Sequence, residues 1–481
     1  MTWETVIGLE VHAQLNTQSK LFSSTATSFG AQPNQHACII DLGLPGTLPV
    51  VNQKAVELAI RFGLSISADI AEQSVFERKN YFYPDLPKGY QISQLEQPIV
   101  SGGHLDITTS TNTHKRIRIN RAHLEEDAGK SLHEGWSGET GLDYNRAGTP
   151  LLEIVTEPDF SNAEEAIAYL KTLHQLVRYL GVCDGNMQEG SFRCDVNLSM
   201  RRPGQALGTR TEIKNLNSFR FIEQAILFER DRQIDTLERG LTIHQETRLY
   251  DADKNITRTM RSKEEANDYR YFPDPDLLPV AVSQTTIDTI HAELPELPND
   301  KYQRYRDALT LSQQNARQLV QQLEIADYFE RTLAAMQQPN ATLVANWING
   351  ELTAQCYREK LNIIDCPIQP DRLAELLQAI QAGDISNTLA REVQQQLWTD
   401  PKSHALQIIS AQGLSQINDT DELSTLIEQI INEFPDQTHE FRAGKEKLLA
   451  FFVGQVMKRT QGKANPTTVN RLLRLQLQPN S

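Results

Sequence analysis

The chain predicts an α+β N-terminal region followed by an all-helical remainder, and three observations carry that prediction. Up to roughly residue 290, short alternating segments mix with a few amphipathic helices, without a regular βαβ series. Pro273, Pro275, Pro279, Pro295 and Pro298 then punctuate a stretch in which neither helix nor long strand can persist. Beyond them the chain is rich in Ala, Leu, Gln and Glu, has few β-branched runs, and keeps Gly and Pro mainly for breaks. A chain of 481 residues is expected to form two or three domains. The prolines and the softer Asp400-Pro401 signal divide it into segments 1–294, 295–404 and 405–481.

The first strand is the most informative element. In Val6-Ile7-Gly8-Leu9-Glu10-Val11-His12-Ala13-Gln14-Leu15, side-chain alternation puts Ile7, Leu9, Val11, Ala13 and Leu15 on one face. Gly8, Glu10, His12 and Gln14 fall on the other. A carboxylate and an imidazole two residues apart suit a metal ligand or general base aimed into a cleft. Alone, the pattern is more often a strand with one wet face. Gln188 to Asn197 repeats it: Gly190, Phe192, Cys194 and Val196 alternate with Glu189, Ser191, Arg193, Asp195 and Asn197. Short, geometrically specific groups with an arginine among them suit metal and phosphate chemistry better than plain solvation. His123-Leu124-Glu125-Glu126-Asp127-Ala128-Gly129-Lys130 is the third such segment. Its acids read as hard oxygen ligands for magnesium, with Lys130 available for phosphate. Arg210, Glu212 and Lys214 also alternate on one face, as phosphate contacts or as a structural salt-bridge ladder.

Three helices follow from capping and periodicity. Ser161-Asn162-Ala163-Glu164 has the capping-box pattern, a stripe runs through Ile167, Leu170, Leu173, Val177 and Leu180, and Gly181 ends it. A second helix runs from Ser218 towards Gly240, and a third begins after Asn52.

Composition narrows the function classes. No apolar run approaches the roughly 20 residues that span a bilayer, and the N-terminus lacks the features of a signal peptide. A cytoplasmic chain without a membrane partner is the expectation. Cys38, Cys183, Cys194, Cys356 and Cys366 are scattered, which argues against a disulfide framework. A net charge of −15 lowers the expectation of general nucleic-acid binding, although Lys458, Arg459 and Lys463 belong to a local basic patch near the C-terminus. There is no P-loop, Rossmann turn, nucleophile elbow or zincin motif.

Taken in order, the motifs resemble one family. They are Ile7-Gly8-Leu9-Glu10-Val11-His12, Leu42-Gly43-Leu44-Pro45-Gly46-Thr47-Leu48-Pro49, the run from Arg78 to Gln94, His123 to Asp127, Pro150 to Val155, Arg210 to Ser218, Tyr269 to Asp276, and Gly462-Lys463-Ala464-Asn465-Pro466. The chain resembles, over essentially its whole length, the B subunits of the bacterial tRNA-dependent amidotransferase, which acts on glutamyl-tRNA(Gln) and aspartyl-tRNA(Asn). The resemblance implies a cradle domain similar to the catalytic domains of glutamine synthetase and guanidino kinases, then a helical domain and a small helical tail of the YqeY kind. It also implies use of ATP and magnesium to phosphorylate the side-chain carboxylate of the misacylated aminoacyl group. Ammonia from an amidase-like A subunit, which uses glutamine, then displaces phosphate, and a small C subunit braces the pair. Glu10, His12 and Glu125 match the family's magnesium positions, and the tail patch matches a contact with tRNA.

One departure stands out. Many members carry a Cys-x-x-Cys pair with zinc before the Leu-Gly-Leu-Pro-Gly segment, whereas this chain has Cys38-Ile39-Ile40-Asp41. No structural zinc is expected. Two rival readings remain at this level: a tRNA-binding scaffold without chemistry, and a free-standing ligase for a small amino acid.

Overall fold

Strand β1 (Glu4–Gln14) alternates as its sequence dictates: Ile7, Leu9, Val11 and Ala13 are buried while Glu10, His12 and Gln14 are half-buried. The other long strands are β2 (His114–Glu126), β3 (Pro150–Thr156), β4 (Phe192–Arg201), β5 (Thr211–Lys214), β6 (Glu246–Asp251) and β7 (Ile256–Ser262). The computed structural model describes residues 2–132, 138–262, 269–414, 420–460 and 462–478. Among these residues the strands form one ten-stranded sheet in the order β7-β6-β5-β4-β1-β3-β2, extended by Val100–Ser101 and Asp69–Ile70, with His104–Thr108 hairpinned onto β2. Among the described residues only β5 and β6 pair in parallel, and the remaining pairs of this sheet are antiparallel. The strand bearing Glu10 and His12 is therefore central.

One face of this sheet is covered. Helices α1 (Gln53–Ser65), α2 (Ala163–Tyr179) and α3 (Phe219–Glu238) share a core with it. Ala59, Ile60, Leu170, Leu173, Val177, Ile222 and Ile226 cluster with Ile7, Leu9, Val11, Leu152, Ile154 and Val196. Burying the apolar face under helices leaves the even-numbered residues of β1 on the other face, an α+β arrangement. The helix starts follow the local chemistry. Asn52 accepts from the Lys54 amide and Ser218 from the Phe221 amide. The α2 cap lies one residue beyond the expected box: Asn162 accepts from the Glu165 amide, and Glu165 accepts from the Ser161 amide.

The connection between β1 and α1 is held by a buried ion pair. Lys20 and Asp41 have side chains 0% and 2% exposed, with Nζ and Oδ2 3.0 Å apart. Lys20 Nζ also donates to the His36 carbonyl at 2.6 Å, and Asp41 accepts from Ser23 Oγ at 2.8 Å and from the Cys38 amide at 3.0 Å. Burial holds the Lys20 ammonium below its ordinary pKa, with Asp41 opposing. Cys38 is half-buried and the other four cysteines are buried; none forms a disulfide.

The chain separates into two compact units, Met1–Leu297 and Pro298–Ser481. The second is helical. One of its apolar clusters runs from Tyr305 to Leu414 and the other from Leu423 to Leu477. Ala405, Ile408, Ile409 and Leu414 belong to the first cluster. The change of core thus falls after 414, whereas Asp400-Pro401 suggested it ten residues earlier. Among the described residues no helix is long and apolar enough to cross a membrane.

Candidate active site

Register brings the polar residues together on the face opposite the helices. His12 stands opposite Arg193 on β4 and Glu153 on β3, and Glu153 stands opposite His123 on β2. Glu10 stands opposite Asp195, and Asn197 opposite Glu212 on β5. Residues paired across strands project to the same side. Five strands thus supply polar side chains to one face.

The side chains form two adjacent groups. In the first, His12 Nε2 lies 3.6 Å from Glu125 and 3.4 Å from Glu153, and His123 Nε2 lies 3.4 Å from Glu153 and 3.8 Å from Glu125. In the second, Glu10, Asp195 and Glu212 converge. Asn197 Nδ2 donates to Glu10 at 2.8 Å, and Lys214 Nζ sits 2.5 Å from Asp195 and 3.2 Å from Glu212. Asp127 closes one edge: Gln14 Nε2 donates to it at 2.9 Å, with Arg193 at 3.0 Å and Arg146 at 3.5 Å.

The electrostatics follow from packing. Burial raises the Glu10 carboxyl, with Glu153, Glu212 and Asp195 adding repulsion. Burial alone would discharge His12 and His123, but Glu153 and Glu125 outweigh it. His12 is raised and His123 is pushed up to about 9. Burial works against the Glu153 anion too, yet the two imidazoles, His123 first, hold its carboxyl well below the usual range. Lys79 is likewise kept charged against burial by Glu125, Tyr271 and Glu153.

Both groups fit a hard divalent cation: one offers an imidazole and two carboxylates, the other three carboxylates, and each set has its donor atoms within 4.8 Å of one another. The structure splits the expected trio. His12 and Glu125 join Glu153, while Glu10 joins Asp195 and Glu212. Glu189 is not among them. The alternation of residues 188–191 suggested a strand, but β4 begins at Phe192 and Glu189 lies exposed in the preceding turn, its amide held by Asn186. Lys130 is exposed on a separate two-stranded ribbon with Gly141–Asp143, and Arg210 is exposed just before β5. Lys458 and Arg459 end the helix Leu448–Arg459, with Arg459 paired to Glu433, and Lys463 follows half-buried.

Glu153, His123 and Lys79 were not identified from sequence as site residues. The signal for Glu153 was a lone acid inside the apolar run Pro150-Leu151-Leu152-Glu153-Ile154-Val155, which is the pattern of a central strand. A carboxylate there has nowhere to go but the functional face.

Comparison with known proteins places the chain in a family. Residues 5–288 match the family profile described as the GatB/GatE catalytic domain, and residues 327–477 match the GatB domain. The chain is similar to the B subunit of the aspartyl/glutamyl-tRNA(Asn/Gln) amidotransferase of Coxiella burnetii, 57% identical over 478 residues, covering 99% of this chain and 100% of that protein. It is similar to the proteins of the same name from Thioalkalivibrio sulfidiphilus (55% over 479 residues, 99% and 100% covered) and Halorhodospira halophila (54% over 478 residues, 99% of each). The chain belongs to the GatB family, the B subunits of aspartyl/glutamyl-tRNA(Asn/Gln) amidotransferases.

Proposed function

We propose that this protein activates the side-chain carboxylate of glutamate or aspartate misacylated onto tRNA(Gln) or tRNA(Asn), using ATP and magnesium, so that ammonia can displace phosphate and leave the amide. One observation carries the reading: six ligand-type side chains from five strands meet on one face of a sheet whose other face is packed under helices. A carboxylate resists nucleophiles because of its charge and lacks a leaving group; phosphorylation supplies one. Magnesium held by the two acidic groups would offset the charge between triphosphate and carboxylate. Arg193, Lys79 and Lys214 supply positive charge to the same face, and the ion pairs of Arg193 with Asp127 and of Lys214 with Asp195 and Glu212 hold them in place for an arriving phosphate.

A mainly antiparallel sheet, packed under helices on one face and carrying acids on the other, supports a glutamine synthetase/guanidino kinase-like cradle. The relatives' designation as B subunits supports an assembly with an amidase-like A subunit and a small C subunit. Co-purification with those subunits, followed by conversion of charged Glu-tRNA(Gln) and Asp-tRNA(Asn) with ATP and glutamine, tests the whole reading. Amidation of neither would overturn it.

Two further outcomes are expected. Glu153 and Glu125 raise both His12 and His123, so a proton competes with any cation for His12 Nε2. Manganese or magnesium uptake should therefore release protons and strengthen as pH rises. Calorimetry in buffers of different ionisation enthalpy checks this; pH-independent binding would contradict it. The separate core at 423–477 supports a third, tRNA-contacting body. Truncation after Leu414 should raise KM for tRNA several-fold, by loss of phosphate contacts such as Lys458 and Lys463, and leave glutaminase activity of the complex intact. Unchanged tRNA affinity would remove the assignment.

A further inference from the structure

Next to the carboxylates lies a ladder of aromatic rings that phosphorylation chemistry does not use. The strand Glu77–Asn80 pairs with Tyr90–Ser93 on one side and Phe272–Pro273 on the other. This small sheet is tied to the end of β2. Ser93 Oγ donates to Glu125 at 3.4 Å, Gln91 Nε2 to the Glu126 carbonyl at 2.7 Å, and Tyr81 Oη to Gln91 at 3.3 Å. Asn80 grips the turn that carries the other rings: its amide donates to the Tyr269 carbonyl at 2.9 Å, and its Nδ2 to the Arg270 carbonyl at 2.9 Å. Arg270 adopts φ +45°, a left-handed conformation costly for a non-glycine residue, and the grip of Asn80 maintains it. The result is a chain of edge-to-face rings: Tyr83 to Tyr81 at 5.9 Å, Tyr81 to Tyr269 at 6.0 Å, and Tyr269 to Tyr271 at 6.1 Å. Lys79 Nζ lies 5.0 Å from the Tyr269 ring and 5.8 Å from the Tyr81 ring. Phe82, 87% exposed, flanks them.

We propose that Tyr81, Tyr269 and Tyr271, with Lys79, form a stacking platform for the 3′-terminal base of the aminoacylated RNA. The inference rests on the reading given under the proposed function. Aromatic rings interleaved with a cation are the usual means of holding an unpaired base without reading its sequence. Reach selects the RNA terminus over the adenine of ATP. When the side-chain carboxylate is at Glu125, the base that carries it is one ribose and one aminoacyl length away. The adenine of ATP is separated from the same point by a ribose and three phosphates. The small sheet that carries Tyr81 is tied to Glu125 itself through Ser93 Oγ at 3.4 Å and to the Glu126 carbonyl through Gln91, to which Tyr81 Oη donates, so the rings flank the carboxylate end of the site.

The test uses the assembled amidotransferase and tRNA bearing 2-aminopurine at its 3′ terminus. Binding should quench the fluorescence with the wild-type complex and with Tyr81→Phe and Tyr271→Phe. Tyr81→Leu and Tyr271→Leu should lose the quench and raise KM for misacylated tRNA about five- to a hundred-fold, with KM for ATP unchanged. A persistent quench in the leucine variants would overturn the platform. So would a raised KM for ATP with tRNA binding intact, which would assign the rings to the nucleotide. Stacking requires no turnover, so Glu125→Gln should keep the quench while losing ATP hydrolysis. Continued hydrolysis by that variant would count against the proposed function and leave the platform standing.

Discussion

Glu125→Gln and Glu153→Gln are each expected to lower tRNA-dependent ATP hydrolysis by roughly a hundred- to a thousand-fold, with the glutaminase activity of the complex unchanged. The geometry sets the size. Each carboxylate contacts both imidazoles at 3.4–3.8 Å, and Glu125 and Glu153 are two of the three donors in their group. Replacement by an isosteric amide keeps the volume and removes one charge and one ligand. For Glu153 a second effect follows. With the principal opposing charge gone, burial should bring His12 and His123 back down. Steady-state assays and proton NMR titration of the imidazoles check the two effects separately. A scaffold without chemistry would tolerate both substitutions, and unaltered hydrolysis would favour that reading.

The largest stability effect is expected far from the chemistry, at Lys20 and Asp41. Removing either partner leaves the other buried and unpaired, which costs about 3–5 kcal/mol. Lys20→Met and Asp41→Leu should each lower the melting temperature by several degrees, whereas the double variant should recover much of the loss. Differential scanning calorimetry decides it; a single-variant loss below about 1 kcal/mol would contradict it. Asp41 stands three residues after Cys38, where family members often place a second cysteine, and its carboxylate binds the Cys38 amide and a buried ammonium. Stoichiometric zinc in purified protein would show that the pair is not the main tie in this loop.

Local rules made much of this legible. Alternation in residues 6–15 identified both faces of β1, because one side is packed under helices and a one-residue slip would bury Glu10 and His12. Caps at Asn52 and Ser218 marked helix starts, since an amide at a helix end needs an acceptor. Strand order was not legible. That β1 lies between β3 and β4 places Glu153 beside His12 and Asp195 beside Glu10, and these contacts join residues more than 140 positions apart. The division of six ligands into two groups depends on that order, and the resemblance that named Glu10, His12 and Glu125 together did not separate them. Alternation also ran too far. It placed Glu189 on a strand because Gly190 and Ser191 kept the period, whereas Gly190 has φ +84° and turns the chain before β4. Glu153 was passed over because a single acid in an apolar run offers no pattern of its own.

The central claim is that this protein transfers a phosphoryl group to the aminoacyl side chain on the acidic face of its sheet. Misacylated tRNA labelled with oxygen-18 in the side-chain carboxylate tests it most directly. Turnover by the assembled enzyme with ATP and glutamine should place one labelled oxygen in the released phosphate, and the Glu125→Gln enzyme should release none. Phosphate free of label from a wild-type enzyme that still forms amide would contradict the account.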